Sequence, residues 1–233
     1  MKCIVPLAGP DIYNEKYGLK PAYEIDGDPL LVKAIHSRFW YGKSLYQEDL
    51  IFIIRDFEYL VDLKNLLQSN FPSCKQVIIP NLTKGALLTT LAGSSLLKCF
   101  SEPIVVDLVD IIFKCKLDPL DIFGDKNEIA GIIPYFKSKN PKYSYLQMDD
   151  KSRLTSALEK RVISDNASAG VYFFRNISYF MRSVLFSIIN QERVSYNDLL
   201  YLCPSFNALI DDKNSVLGVE VNEVFDFHNS LQI

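Results

Sequence analysis

Cys3-Ile-Val-Pro-Leu7, then Pro29-Leu-Leu-Val-Lys-Ala-Ile-His-Ser-Arg-Phe-Trp-Tyr41, then Asp49-Leu-Ile-Phe-Ile-Ile-Arg55: these three segments decide how the chain folds. The first and third are short, apolar and rich in β-branched residues, the pattern of strands buried on both faces. In the second, Leu30, Leu31, Ala34, Ile35 and Phe39 share a helical face, while Lys33 and Arg38 lie off it. Strand, loop, helix, strand is the start of an α/β sheet. Residues 59–70 repeat the helical pattern, 75–79 predict a third strand, 84–97 an apolar helix and 102–113 a strand. From Glu128 the texture changes to hairpins, with 129–136 and 169–174 as central strands and 142–148 and 153–158 as shorter ones. An amphipathic helix is predicted over 176–190, and one or two strands over 215–227. No repeat, low-complexity tract or linker divides the chain, so residues 1–233 are expected to form a single domain.

Composition narrows the function. With 25 Lys+Arg against 28 Asp+Glu the formal charge is −3, and the lysines are scattered among carboxylates. A nucleic-acid binder needs a basic excess to displace counterions, so nucleic acid is not an expected partner. No apolar run reaches the ~18–20 residues of a bilayer span, and the run after Lys2 is broken by Gly9, Pro10 and Asp11 before it resembles a signal peptide. No membrane association is expected. Cys3, Cys74, Cys99, Cys115 and Cys203 are odd in number and never spaced C-x-x-C. A reducing cytoplasm suits them better than a disulfide framework or a zinc knuckle.

Between the first strand and the first helix the connection is too long to be ordinary, and such loops are usually functional or disordered. Ligands of open α/β sheets bind at the carboxyl ends of the strands, where this loop begins. Leu7, Ala8 and Gly9 would let backbone N–H groups approach phosphate oxygens, and Lys20 would add a point charge. From spacing alone, a surface loop with a turn glycine is the simpler reading.

The order of motifs adds to this. Ile4 to Leu31, read as I-V-P-L-A-G…Y-G-L-K-P-A-Y-E-I-D-G-D-P-L-L, resembles the amino-terminal signature of the sugar-phosphate nucleotidyltransferases, where L-A-x-G leads through a loop to P-K-P-L and D-G-x-P. Thr83-Lys-Gly85-Ala is similar to that family's base-recognition turn, and Pro103-Ile-Val-Val-Asp-Leu-Val-Asp110-Ile-Ile to its metal-aspartate strand. Ser138-Lys-Asn-Pro-Lys-Tyr143-Ser-Tyr, Glu159-Lys160 and Ile163-Ser-Asp-Asn-Ala-Ser-Ala-Gly170-Val-Tyr-Phe-Phe resemble its sugar-phosphate side. Residues 197–207 and Asp226-Phe-His-Asn resemble its last helix and closing loop. The resemblance runs over nearly the whole chain. It implies a three-layer, Rossmann-like α/β fold with a mixed, mainly parallel central sheet.

It also implies a chemistry. A sugar 1-phosphate oxygen attacks the α-phosphorus of a nucleoside triphosphate, pyrophosphate leaves, and a nucleotide sugar forms, as in supplying a precursor for surface (capsule) polysaccharide. The reaction asks for positioning and charge neutralisation. The implied catalytic residues are Lys20 and Asp110; nucleotide binding falls to Leu7, Ala8, Gly9, Thr83 and Gly85. Tyr143, Glu159, Lys160 and Gly170 would hold the sugar phosphate, and Asp110 and Asp226 would hold Mg²⁺, which binds through one or two carboxylates plus phosphate oxygens and water. Base, sugar and oligomeric state, a homo-oligomer included, stay open.

Departures from the family pattern point elsewhere. Its loop continues as G-x-G-x-R, whereas this chain has Gly9-Pro-Asp-Ile-Tyr and no arginine before Arg38. Pro10 removes a donor, Asp11 and Glu15 place negative charge where a triphosphate would lie, and Lys16 is the only nearby substitute. Losing such electrostatics costs about a hundredfold or more in rate, so a catalytically silent homologue that binds a sugar phosphate or nucleotide as a regulatory or partner subunit is the rival reading. A glycosyltransferase is disfavoured because Asp107 and Asp110 form D-x-x-D and not D-x-D. Residue by residue, bland alternatives stand beside these roles. Asp107 reads as a solvated strand end, Glu159 and Lys160 as a surface pair, and Gly170 as a site of close sheet packing. His36 and His228 read as structural, and Tyr143 and Tyr145 as strand aromatics before sugar-stacking groups. Asp110 on an apolar strand would be a buried carboxylate in need of a cation or donors.

Overall fold

The computed structural model describes residues 1–126 and 128–227; His228 and Asn229, the end of the closing-loop motif, lie outside the described residues. The strands are β1 (Lys2–Leu7), β2 (Leu50–Arg55), β3 (Lys75–Ile79), β4 (Ile104–Asp107), β5 (Ile111–Lys114) and β6 (Ile129–Lys137). They continue as β7 (Ser144–Met148), β8 (Leu154–Glu159), β9 (Asn166–Ser168), β10 (Val171–Phe174), β11 (Ser215–Glu220) and β12 (Asn222–Asp226). The main helices are α1 (Leu30–His36), α2 (Leu60–Asn70), α3 (Ala86–Ser94), α4 (Pro119–Asp125) and α5 (Ile177–Ile189).

A ten-stranded sheet runs in the order β8-β7-β9-β6-β10-β4-β1-β2-β3, with β11 also paired to β6. Strands β3, β2, β1 and β4 are mutually parallel, and β10 joins β4 to β6 in antiparallel register. Followed through the ladder, β1 to β4, β6, β7 and β11 run one way and β8, β9 and β10 the other. The sheet is mixed, with its parallel ladders concentrated at the amino-terminal end.

Alternation along β1 and β2 explains the three layers. Cys3, Val5, Leu50 and Phe52 pack on one face with Leu31 and Ile35 of α1 and Leu63 and Leu67 of α2. Ile4, Ile51 and Ile53 pack on the other with Leu87 of α3 and Phe180 and Val184 of α5. Strands covered on both faces need no polar side, which is why these segments read as unbroken apolar runs.

Three of the differences from the sequence expectation have a tertiary or capping reason. The first helix stops at His36 and not at Tyr41, because Trp40 turns into the core against Phe173 (ring centroids 5.0 Å) and Arg38 turns inward to a buried carboxylate. The strand expected over 102–113 breaks into β4 and β5. Val109 adopts a left-handed φ of 55°, and its N–H donates to Asp107 Oδ1 at 2.9 Å. Helix α4 was not foreseen; Asp118 caps it by accepting from the Leu120 N–H at 3.0 Å, with Pro119 in the first turn where a missing N–H costs nothing.

Candidate functional site

At the carboxyl ends of β1 and β4 the loops enclose a cavity of about 690 Å³. Leu7, Ala8, Gly9, Lys20, Thr83, Gly85, Asp110, Tyr143, Glu159, Lys160, Gly170 and Asp226 all line it. Thus the twelve residues to which the resemblance gives a catalytic, nucleotide, sugar-phosphate or metal role open onto one space, although they come from separated parts of the chain.

The first wall is the loop after β1. Gly9 leads into a single turn of 3-10 helix, Pro10–Ile12, in which the Ile12 N–H donates to the Gly9 carbonyl at 3.4 Å. Asp11 Oδ2 lies 2.7 Å from Lys20 Nζ. Lys20 is buried, and Asp110 Oδ1 lies 2.8 Å from its ammonium on the other side. Burial alone would push the Lys20 pKa down; the two carboxylates, Asp110 foremost, override it and hold the ammonium above its ordinary range. Glu15 and Lys16 do not line the cavity. The Lys16 backbone N–H instead closes a turn on Asn14 Oδ1 at 2.9 Å.

The second wall precedes α3. Thr83 Oγ1 donates to the Gly85 carbonyl at 3.0 Å and lies 2.6 Å from Thr89 Oγ1. Gly85 has a φ of 108°, and a Cβ there would stand 2.2 Å from the Leu200 carbonyl oxygen. Only glycine fits this position, for both reasons.

Two aspartates line the cavity from adjoining segments. β5 and β12 pair antiparallel with Asp226 opposite Ile111, and the Phe227 N–H donates to the Asp110 carbonyl at 3.3 Å. Asp226 is buried; Lys142 Nζ lies 2.7 Å from its Oδ2, and the Tyr143 phenol donates to the same oxygen. Asp110 is half-buried on the loop between β4 and β5, not inside a strand. The buried carboxylate of that region is Asp107, which corrects its reading as a solvated strand end: Arg38 Nε donates to Asp107 Oδ2 at 2.7 Å and Nη2 to Oδ1 at 3.0 Å, both side chains being buried.

On the far side, Glu159 and Lys160 are not a surface pair. Glu159 is buried at the end of β8 and accepts a hydrogen bond from the Ser144 hydroxyl. Burial pushes its carboxyl pKa up, partly countered by Ser144 and Lys160. Lys160 has a φ of 50°, and its ammonium stands 5.3 Å from the Tyr196 ring centroid and 5.7 Å from that of Tyr201. Gly170 is there for its φ of 75°, not for close packing, since a Cβ would meet Leu108 at an ordinary 3.7 Å. Tyr145 is fully buried, donates to the Asn140 carbonyl at 2.8 Å and does not line the cavity, which removes it as a stacking group. His36 stacks on Tyr41 at 5.0 Å, away from the site. Lys142, Ser144, Tyr172 and Tyr201 also line the cavity. None of these has a role in the sequence reading, although Lys142 and Ser144 flank Tyr143 there.

Replacing Glu159 by glutamine is expected to raise the unfolding midpoint at pH 7, because the amide carries no charge into the buried site. A carboxyl whose folded pKa is raised contributes stability that is fully present below the unfolded value, about 4.3, and lost as pH rises through the higher folded value. The advantage of Glu159→Gln should therefore fade on acidification towards pH 4. Melting curves across that range check it; a variant less stable at neutral pH would mean that Lys160 compensates the charge fully.

No protein-family model matches the chain, and no curated protein matches it by sequence. Solved structures do. A nucleoside-diphosphate-sugar pyrophosphorylase from Vibrio cholerae RC9 superposes with a TM-score of 0.78 at 18% identity, over 97% of this chain and 95% of that one. A UDP-glucose pyrophosphorylase complexed with UDP-glucose follows at 0.67 and 16%, over 95% and 91%. The inositol-1-phosphate CTP transferase from T. maritima gives 0.65 at 13%, over 96% and 86%. Near-complete mutual coverage makes the similarity one of whole folds, and this chain has the α/β fold of the sugar-phosphate nucleotidyltransferases over nearly its entire length.

Proposed function

We propose that the chain transfers a nucleotidyl group from a nucleoside triphosphate to a phosphorylated sugar or small alcohol. The observation that carries this reading is the convergence of the motif residues on one cavity at the strand ends. In the reaction, an acceptor phosphate oxygen forms a bond to the α-phosphorus while the bond from that phosphorus to the bridging oxygen of the β-phosphate breaks, and pyrophosphate leaves with the electron pair. The chain's part is orientation and charge. Lys20 would hold the donor phosphates, Lys160 the acceptor phosphate, and Glu159 a sugar hydroxyl, with Thr83 and Gly85 beside the base.

Asp110 and Asp226 fit a Mg²⁺ site by donor chemistry, since both are carboxylates that line the cavity, one just before β5 and the other on β12, which pairs with it. Among the described residues no cluster of three or more His, Cys, Asp or Glu suits a metal, so phosphate oxygens and water would complete the shell. Bound there, the ion would neutralise charge on the phosphate oxygens.

A second reading, a non-catalytic homologue that binds a nucleotide or sugar phosphate in a regulatory or partner role, is favoured by one observation: Lys20 already carries two carboxylates. The nucleobase, a role in surface polysaccharide and self-association belong to the same proposal. Among the described residues no helix is long and apolar enough to cross a membrane; the proposal of a cytoplasmic placement rests on the odd number and wide spacing of the cysteines. Pyrophosphate release, assayed with each common triphosphate and a panel of sugar 1-phosphates with and without Mg²⁺, tests the first reading. Release that requires both substrates supports it. Thermal stabilisation by nucleotides without any release would support the second.

A further inference from the structure

Asp11 occupies an unusual place. Its Oδ1 stands 2.6 Å from the point where a Cβ on Gly9 would lie, while its Oδ2 holds Lys20 at 2.7 Å. The carboxylate therefore fills the space between the loop glycine and the buried lysine. Under the reading above, that space belongs to the phosphates of the donor. Asp11 sits on a single 3-10 turn, its side chain is 53% exposed, and water can receive the carboxylate if it swings away. Arg38, the nearest arginine in the sequence, is committed to Asp107 and does not line the cavity.

We propose that Asp11 is a specificity-determining residue: its carboxylate is an internal anion on Lys20 that competes with the outer phosphates of a triphosphate and shifts preference towards ligands with fewer phosphate charges, a nucleotide sugar or a nucleoside monophosphate. The inference rests on the nucleotidyltransferase reading. The physical reason is that Lys20 must exchange one anion for another when a triphosphate binds, which cancels most of the electrostatic gain, and a displaced Asp11 still repels the added charge nearby. A monophosphate that leaves the Asp11–Lys20 contact in place meets less of this opposition.

Calorimetric titration of the full chain tests it, using ATP, CTP, GTP and UTP and the matching monophosphates with Mg²⁺ in excess. For the base that binds, Asp11→Asn is expected to tighten the triphosphate complex about fivefold or more, the factor that follows from about 1 kcal/mol for unit charges some 4 Å apart in water, and to leave the monophosphate complex within about twofold. Asp11→Glu keeps the charge and should keep the wild-type preference. Asp11→Ser gives a second neutral variant, and melting curves show that each one folds. Monophosphate binding intact with triphosphate affinity unchanged in both neutral variants would overturn this inference alone. No binding of any nucleotide by any variant would overturn the nucleotidyltransferase reading and this inference with it.

Discussion

Asp107→Ala is expected to lower the stability of the fold by about 3–5 kcal/mol, the usual cost of removing one partner from a buried ion pair. Arg38 is buried; its guanidinium makes a two-pronged contact with Asp107, donates to the Ile111 carbonyl at 2.9 Å and lies 4.2 Å from the Phe113 ring centroid. Without Asp107 a positive charge remains in the core with the Ile111 carbonyl, the Ser37 hydroxyl and the Phe113 ring in place of its counter-ion. The Val109 N–H also loses its acceptor, so the left-handed turn that sets Asp110 at the cavity is unsupported. Urea unfolding would read the loss as a lower midpoint with little change in slope. The paired change Asp107→Leu with Arg38→Met should lose much less than Asp107→Ala alone, because no charge is stranded. A cost below about 1 kcal/mol for Asp107→Ala would mean that the guanidinium finds water or another anion, against the bidentate geometry.

Under the nucleotidyltransferase proposal, Lys20→Ala is expected to lower nucleotidyl transfer by about 10²–10³-fold, the range for removing one preorganised group that stabilises developing charge. Its effect on stability should be small beside that of Asp107. The two carboxylates it leaves have side chains 53% and 31% exposed for Asp11 and Asp110, so water can solvate them. Measuring pyrophosphate release at saturating substrates together with the unfolding midpoint separates the roles. A loss of activity of only a few-fold, with a drop in midpoint comparable to that of Asp107→Ala, would make Lys20 a structural cross-link between the first loop and Asp110. The contrast between the two variants is instructive: one removes a charge that the core cannot replace, the other a charge at the edge of a wet cavity.

How much of this was legible in advance depended on the range of the interaction. Periodicity is local, and it located β1, β2, β3, α2 and α5 to within a residue or two. Motif order likewise nominated residues that share one cavity. Where a side chain from far away intrudes, local reading failed. The helical pattern runs on to Tyr41 because nothing near Arg38 announces that its partner lies 69 positions on. The break after Asp107 was hidden because Leu108, Val109 and Ile111 look like strand residues, and only the Asp107 side chain capping the Val109 N–H turns the backbone.

By itself the sequence determined an α/β chain with strands covered on both faces, a first loop lacking the arginine and second glycine of the nucleotidyltransferase pattern, and part of the set of residues around the cavity. Tertiary structure alone decided which charges meet. It gave Asp107 to Arg38, set Lys20 between Asp11 and Asp110, paired Asp226 with Ile111 next to Asp110 and added Lys142 to Asp226. The physical reason is that side-chain periodicity records which residues share a face, a property of neighbouring residues, whereas the partner of a charge depends on how distant segments cross, and Coulomb attraction at about 3 Å leaves no mark in the spacing of either segment.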